Sequence, residues 1–72
     1  MKAEREVVSK HIDALMQEAD RKSLIADNVG RLLLQAAIEI WLQNRSPDDI
    51  ASELEFTAEN IDPDADYEFI RP

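Results

Sequence analysis

The central segment of the chain, residues 29–42, alternates polar and apolar positions with the period of an α-helix. Its polar residues recur at every fourth position and form one narrow stripe: Arg31, Gln35, Glu39 and, just beyond the segment, Gln43. The other positions are apolar, which makes roughly two thirds of the helical circumference apolar, whereas a surface helix usually carries a stripe a little over about 100° wide. This helix therefore needs cover from several directions.

A first amphipathic helix is predicted from about Ala3 to Asp20. Its apolar residues fall at positions i, i+4, i+7 and i+11: Val8, Ile12, Leu15 and Ala19. A short polar break follows, in which Ser23 is the predicted N-cap of the second helix and Asp27 is the alternative. Because so short a link joins antiparallel neighbours, the first two helices are predicted to form a helical hairpin.

The clearest local signal begins at Ser46. Serine is a favourable N-cap, and Pro47 suits the first helical position. Asp48 and Asp49 then place negative charge at the positive end of the helix dipole. These residues predict a short third helix from Pro47 to about Glu55.

Residues 62–72 differ in character from the rest of the chain. Pro63 prevents further helical turns, and the residues around it are predominantly acidic, which is typical of an extended, solvated segment. The predicted fold is all-α: an antiparallel helical hairpin, a short third helix and an extended acidic C-terminal tail. Residues 1–61 are predicted to form one small helical domain, and 62–72 the tail.

The second helix is the basis for predicting self-association. A chain of this size buries only about 60% of its unfolded surface, so small scaffolds often rely on oligomerisation. A second copy would complete the cover of this helix in a dimeric helical bundle. The predicted dimer interface consists of Leu33, Leu34, Ala37, Ile38 and Trp41. Gly30, in the same helix, has two interpretations: a glycine tolerated near a helix start, or a site where another helix approaches closely.

The net charge of −8 is concentrated at one end of the chain. Residues 48–72 hold nine acidic residues and one arginine, whereas the preceding residues are neutral overall. This distribution disfavours nucleic acid and anionic membrane surfaces, since both are bound by clustered Lys and Arg. It favours a basic partner. With no cysteine, no signal-peptide pattern and no apolar run long enough to span a membrane, a cytoplasmic protein is expected.

Catalytic and metal chemistry find little support in the residues. The chain has no cysteine and one histidine, His11, and the hydroxyl residues that follow the histidine are all remote from it in sequence: Ser23, Ser46, Ser52 and Thr57. Asp62, Asp64, Asp66 and Glu68 alternate like the first ligands of a calcium loop, but the turn glycine and the final glutamate are missing. The segment is either a solvated acidic tail or a weak divalent-cation site. We expect no enzyme activity, no cofactor and no metal.

The aromatic residues all lie in the rear half of the chain. Trp41 and Phe56 are predicted to join the second helix to the third in the core, with an anchoring role at an interface as the alternative. Tyr67, Phe69 and Ile70 stand out in a polar tail. They either dock on this protein's own core or a sister chain, or form a short peptide that another protein recognises.

Residues 46–61 resemble the start of a helix-turn-helix, with Phe56 and Thr57 opening a second helix. The segment departs from that pattern because Glu55 replaces the turn glycine, Pro63 shortens the would-be recognition helix, and the charge is acidic where DNA requires basic. A DNA-binding transcriptional regulator is therefore the alternative function.

The favoured function is a small, non-catalytic, homodimeric interaction or regulatory protein, antitoxin-like or inhibitor-like. Its acidic C-terminal part is expected to bind a protein partner that is itself basic. The predicted partner-binding residues are Asp62, Asp64, Asp66, Tyr67, Glu68 and Phe69.

Overall fold

The structure, a computed structural model, describes residues 1–63. Over these residues it contains three helices and no strand: α1 (Lys2–Arg21), α2 (Ala26–Leu42) and α3 (Pro47–Glu59). The all-α prediction is confirmed. The described residues divide into two compact units, Met1–Val29 and the residues from Gly30 onward.

α1 ends in a hydrogen-bonded turn around Ser23. The Leu24 N–H donates to the Ala19 carbonyl at 2.8 Å. The Ser23 N–H donates to the Asp20 carbonyl at 3.1 Å. This pair of bonds is the Schellman arrangement, which needs a residue in the left-handed region, and Ser23 has a φ of 55°. Ser23 therefore terminates α1, and the prediction that it caps α2 is wrong, because α2 begins only at Ala26.

One face of α1 is covered in the first unit. Ala19 is buried at this face with 3% of its surface exposed. The half-buried residues of α1 lie on the same face: Ser9, Ile12, Leu15 and Met16. The predicted apolar face is confirmed for three of its four members, whereas Val8 is exposed.

α3 begins as its sequence predicts. Ser46 is the N-cap, with its side-chain oxygen accepting from the Asp49 N–H at 3.2 Å. Its carbonyl accepts the first intrahelical bond from the Ile50 N–H at 3.0 Å. Pro47 occupies the first helical turn, where its missing N–H leaves no intrahelical bond unmade.

α3 is longer than predicted. It runs without interruption to Glu59, because residues 55–59 include no glycine or proline that would stop it. Asn60 then ends it, and its side-chain amide donates to the Phe56 carbonyl at 2.7 Å. Residues 46–61 thus contain a single uninterrupted helix, and the turn at Asn60 comes only after it, so the two-helix arrangement implied by the helix-turn-helix resemblance is not formed there.

The core of the described residues is small. Its buried apolar side chains are Ala19 and Ile50, with 3% and 4% of their surfaces exposed, and Leu54 beside Ile50 on α3 is half-buried. Twelve large apolar side chains in residues 1–63 are exposed. None of the described helices is both long and apolar enough to cross a membrane.

Candidate interaction surfaces

α2 is the most apolar helix of the chain, yet none of its residues is buried. Leu32 and Ile40 expose 64% and 62% of their surfaces. Each fully buried side chain of this kind contributes about 1.5–3 kcal/mol relative to an exposed one, so this helix leaves much stabilisation unrealised in the single chain. Contiguous exposed apolar surface of this kind marks interaction sites in soluble proteins.

The exposed apolar residues of α2 include a continuous strip in the second unit. Four residues at positions i, i+1, i+4 and i+8 share one side of the helix and are all exposed: Leu32, Leu33, Ala36 and Ile40. We refer to these residues as the α2 strip. The small Ala36 lies between two large residues, Leu32 and Ile40, a pattern that allows another helix to approach near the middle of the strip.

The predicted dimer interface overlaps this strip only at Leu33. Of its other members, Leu34 is exposed, whereas Ala37, Ile38 and Trp41 are half-buried in the single chain. The half-buried residues have less surface left to contribute to an interface. The exposed apolar surface therefore lies to one side of the predicted interface, and sequence periodicity gave no means of separating the two sides because both are apolar.

Gly30 has open space around it. A Cβ placed on this glycine meets no atom within 4 Å in the described structure. No close approach of another part of the chain therefore requires a glycine here, and the interpretation that it is tolerated near a helix start agrees with the surroundings seen in the single chain.

Arg45 connects the end of α2 to the start of α3. Its guanidinium lies 5.0 Å from the centroid of the Trp41 ring. Its Nε donates to Asp49 Oδ2 at 2.9 Å, and its Nη2 donates to Glu53 Oε1 at 3.3 Å. The side chain is 27% exposed, so these interactions are partly shielded from water. The hydrogen bond that Arg45 donates to the Asp49 carboxylate is the largest influence on the pKa of the guanidinium and raises it.

Sequence reasoning missed Arg45. The signal was present, because Trp41, Arg45 and Asp49 are four residues apart. That spacing has a defined geometric meaning only within a helix, and the segment from Gln43 to Ser46 lies between two helices. The link nevertheless keeps a near-helical course at its start, since the Arg45 N–H donates to the Trp41 carbonyl at 2.8 Å.

Phe56 does not lie in the core. It exposes 64% of its surface, so the prediction that it joins the second helix to the third is wrong. Ile50 and Leu54 form the covered face of α3, and the 100° step per residue of an α-helix places Phe56 on the opposite side. Trp41, by contrast, is half-buried and held against Arg45, as a residue joining the two helices should be.

Acidic and polar residues flank Phe56 on the solvent side of α3. Four exposed residues at positions i, i+4, i+7 and i+11 run along this side: Asp48, Ser52, Glu55 and Glu59. Together with Phe56 they form what we call the α3 outer face. Within residues 1–63, none of its three carboxylates takes part in an ion pair, whereas the carboxylates of Asp49 and Glu53 are both bonded to Arg45.

The predicted partner-binding residues lie almost entirely outside the described residues. Asp62 is exposed. The others fall beyond residue 63: Asp64, Asp66, Tyr67, Glu68 and Phe69. Among residues 1–63, no group of three or more histidines and acidic side chains is arranged to hold a metal ion.

In comparisons with known proteins, no protein-family model, no curated protein and no solved structure matches this chain.

Proposed function

We propose that this protein is a small, non-catalytic homodimer whose acidic C-terminal part binds a basic protein partner, in the manner of an inhibitor or antitoxin. The observation that carries the proposal is the absence of any buried residue in α2. A helix of this composition is stable in water when another surface covers it, and the described part of its own chain covers α2 only in part, as at Ala37, Ile38 and Trp41.

The second copy is the occupant we propose for the α2 strip. Two-fold symmetry brings the same strip from each chain together, so the residues that need cover also supply it. In an antiparallel pair centred on Ala36, Leu32 of one copy lies opposite Ile40 of the other. That arrangement also separates the two Glu39 side chains along the axis. A parallel pair would place these two negative charges at the same level, where they would repel each other.

The proposed assembly is a helical bundle. The link of only four residues between Arg21 and Ala26 is short enough for the helical hairpin that the sequence predicts. We propose that the acidic C-terminal residues bind the partner and that the protein is cytoplasmic. The nine acidic residues from Asp48 onward would attract a basic partner at a rate that falls with added salt.

Sedimentation equilibrium on the wild type and two matched variants tests the proposed dimer. Leu32→Asp places a charge in the α2 strip, whereas Gln35→Asp places the same charge on the polar stripe of the same helix. We expect the wild type and Gln35→Asp to have twice the chain mass of 8.2 kDa. We expect Leu32→Asp to be monomeric, because an unpaired charge buried between apolar side chains is strongly unfavourable.

Circular dichroism on the same samples separates dissociation from unfolding. If Leu32→Asp is monomeric but keeps much of its helix content, the strip serves association. A wild type with the mass of one chain at all concentrations would contradict the proposal, and so would a Leu32→Asp variant that remains a dimer.

A further inference from the structure

The α3 outer face combines an exposed aromatic ring with uncompensated negative charge. Phe56 projects on the side away from Ile50 and Leu54, so it contributes nothing to the covered face of its own helix. Large aromatic residues are the side chains most enriched at the energetic centres of protein interfaces. The exposure of Phe56 is therefore the feature of α3 that most needs an explanation.

The charges around Phe56 are arranged unfavourably for the free chain. Glu55 and Glu59 are four residues apart, where like charges destabilise a helix, and both lie toward the negative end of the helix dipole. The last turn of α3 contains no basic residue to offset them. Cations brought by another molecule would remove both unfavourable interactions.

We propose that the α3 outer face binds a cationic amphipathic helical segment of a partner protein, with an apolar side chain of that segment packed on Phe56. Lys or Arg residues beside that apolar side chain, on the side facing the free carboxylates, would then pair with Asp48, Glu55 and Glu59. From Asp48 to Glu59 the face is about 16 Å long, which corresponds to about three helical turns in the partner. The inference rests on the proposed function and specifies where and what the protein binds.

Charge identifies this occupant among the alternatives. A second copy would bring an identical acidic face against this one, and like charges directly opposed across an interface are unfavourable. Nucleic acid carries the same sign of charge as the face and is repelled by it. A basic amphipathic helix satisfies the aromatic ring and the carboxylates together, because it presents apolar and charged residues on adjacent sides.

The test uses the full chain labelled with ¹⁵N and a synthetic peptide of leucine and lysine, about 14 residues or four turns long, with its leucines on one helical side. A control peptide has the same composition in an order that gives no apolar side. We expect the amphipathic peptide to shift the amide signals of Ser52, Glu55, Phe56 and Glu59. We expect the control peptide to bind more weakly and without that localisation.

Matched variants assign the binding to individual residues. Phe56→Ala should weaken binding of the amphipathic peptide by about tenfold, as truncation of a central aromatic anchor does. Ile61→Ala, which removes a side chain with 66% exposure outside the face, should stay within about twofold of the wild type by the same reasoning. Phe56→Leu should restore part of the loss, and the double variant Glu55→Gln/Glu59→Gln should reduce the salt dependence of binding.

The outcomes distinguish this inference from the proposed function. Shifts confined to residues 62–72, with Phe56→Ala binding as the wild type does, would overturn the inference and leave partner binding by the acidic tail intact. No binding of either peptide at low salt would overturn both the inference and the proposed binding of a basic partner, whereas the proposed dimer is decided by the sedimentation measurement. Loss of the dimer in Phe56→Ala, measured by sedimentation, would assign Phe56 to the contact between copies and overturn the inference alone.

Discussion

The guanidinium carbon of Arg45 lies over the indole of Trp41, 5.0 Å from the ring centroid, and the same group is hydrogen-bonded to carboxylates of α3. Stacking on an aromatic face and hydrogen bonding from the edge are compatible because the guanidinium is planar. Arg45 therefore fixes the end of one helix relative to the beginning of the next within the second unit. It also partly neutralises Asp49 and Glu53, which leaves the unbalanced acidic charge on the α3 outer face.

Arg45→Ala is expected to lower the midpoint of unfolding, since it removes a cation held over the Trp41 ring and the ion pairs to Asp49 and Glu53. Arg45→Lys should recover only a part of that loss. A lysine ammonium is a compact point charge, so it cannot cover the Trp41 ring and hydrogen-bond two carboxylates at once as the planar guanidinium does. Urea unfolding followed by Trp41 fluorescence measures both variants. Equal stability of the lysine variant and the wild type would show that charge alone, and not the planar group, holds the link.

Ser23→Gly is expected to stabilise the protein by about 0.5–1 kcal/mol, because a non-glycine residue in the left-handed region is strained and glycine is not. Ser9→Gly is the matched control, since it makes the same replacement inside α1. The control should destabilise by about 0.5 kcal/mol, because glycine is a weaker helix former than serine. Thermal unfolding of the two variants should therefore shift in opposite directions, and a shift of both downward would mean that Ser23 has another role.

Ser46→Ala is expected to lower stability by about 1 kcal/mol, because the Asp49 N–H loses the oxygen that caps it. Ser52→Ala, on the exposed side of the same helix, should change stability little and in the favourable direction, since alanine is the better helix former. Amide hydrogen exchange at residues 48–50 reports the cap directly. Unchanged protection in Ser46→Ala would show that Pro47 and the first-turn aspartates suffice to begin α3.

Glu18 and Lys22 give the end of α1 a defined pH dependence. The Lys22 Nζ lies 2.7 Å from Glu18 Oε2, and this hydrogen bond lowers the pKa of Glu18 below its ordinary value of 4.5. A carboxylate with a lowered pKa in the folded state stabilises the fold above its unfolded pKa and loses that contribution as the pH falls through the folded value.

A double-mutant cycle with Glu18→Gln and Lys22→Met should therefore show coupling at pH 7 that disappears as the pH is lowered through the range below 4.5. Unfolding by urea at a series of pH values provides the coupling free energy. Both side chains are exposed, so added salt should weaken the coupling at neutral pH. Coupling that persists in strongly acidic solution would mean that packing of the two side chains, and not their charges, is responsible.

Local sequence signals predicted a structural feature correctly where each residue type strongly favours one structural role. Ser46 followed by Pro47 and two aspartates predicts a helix start because each residue satisfies a separate requirement of the first turn. Ser23 could not be assigned in the same way, since serine caps helix starts more often than it adopts the left-handed conformation at a helix end. Only the hydrogen bonds from Ser23 and Leu24 back into α1 identify its role.

The exposed surfaces were less predictable, because the exposure of a side chain depends on which other residues of this short chain pack against it. Phe56 is apolar, but Ser52, which is four residues before it and would share its side of a helix, is polar. The pattern therefore does not distinguish a core residue from an exposed anchor. The continuous course of α3 through residues 55–57 settles the matter, because it places Phe56 about 120° around the helix from Ile50 and about 160° from Leu54. Similarly, the apolar circumference of α2 predicted that cover was needed, but which side lacks it emerged only from the exposure of Leu32 and Ile40.

The most direct test of the central claim, that a second copy covers the α2 strip, is an isotope-filtered NOE measurement. A sample that mixes ¹³C-labelled and unlabelled chains reveals only contacts between different copies. We predict NOEs between copies from the methyl groups of Leu32, Leu33 and Ile40, with Leu32 of one chain close to Ile40 of the other. Methyl signals of a folded protein that show no contact between copies at millimolar concentration would contradict the account.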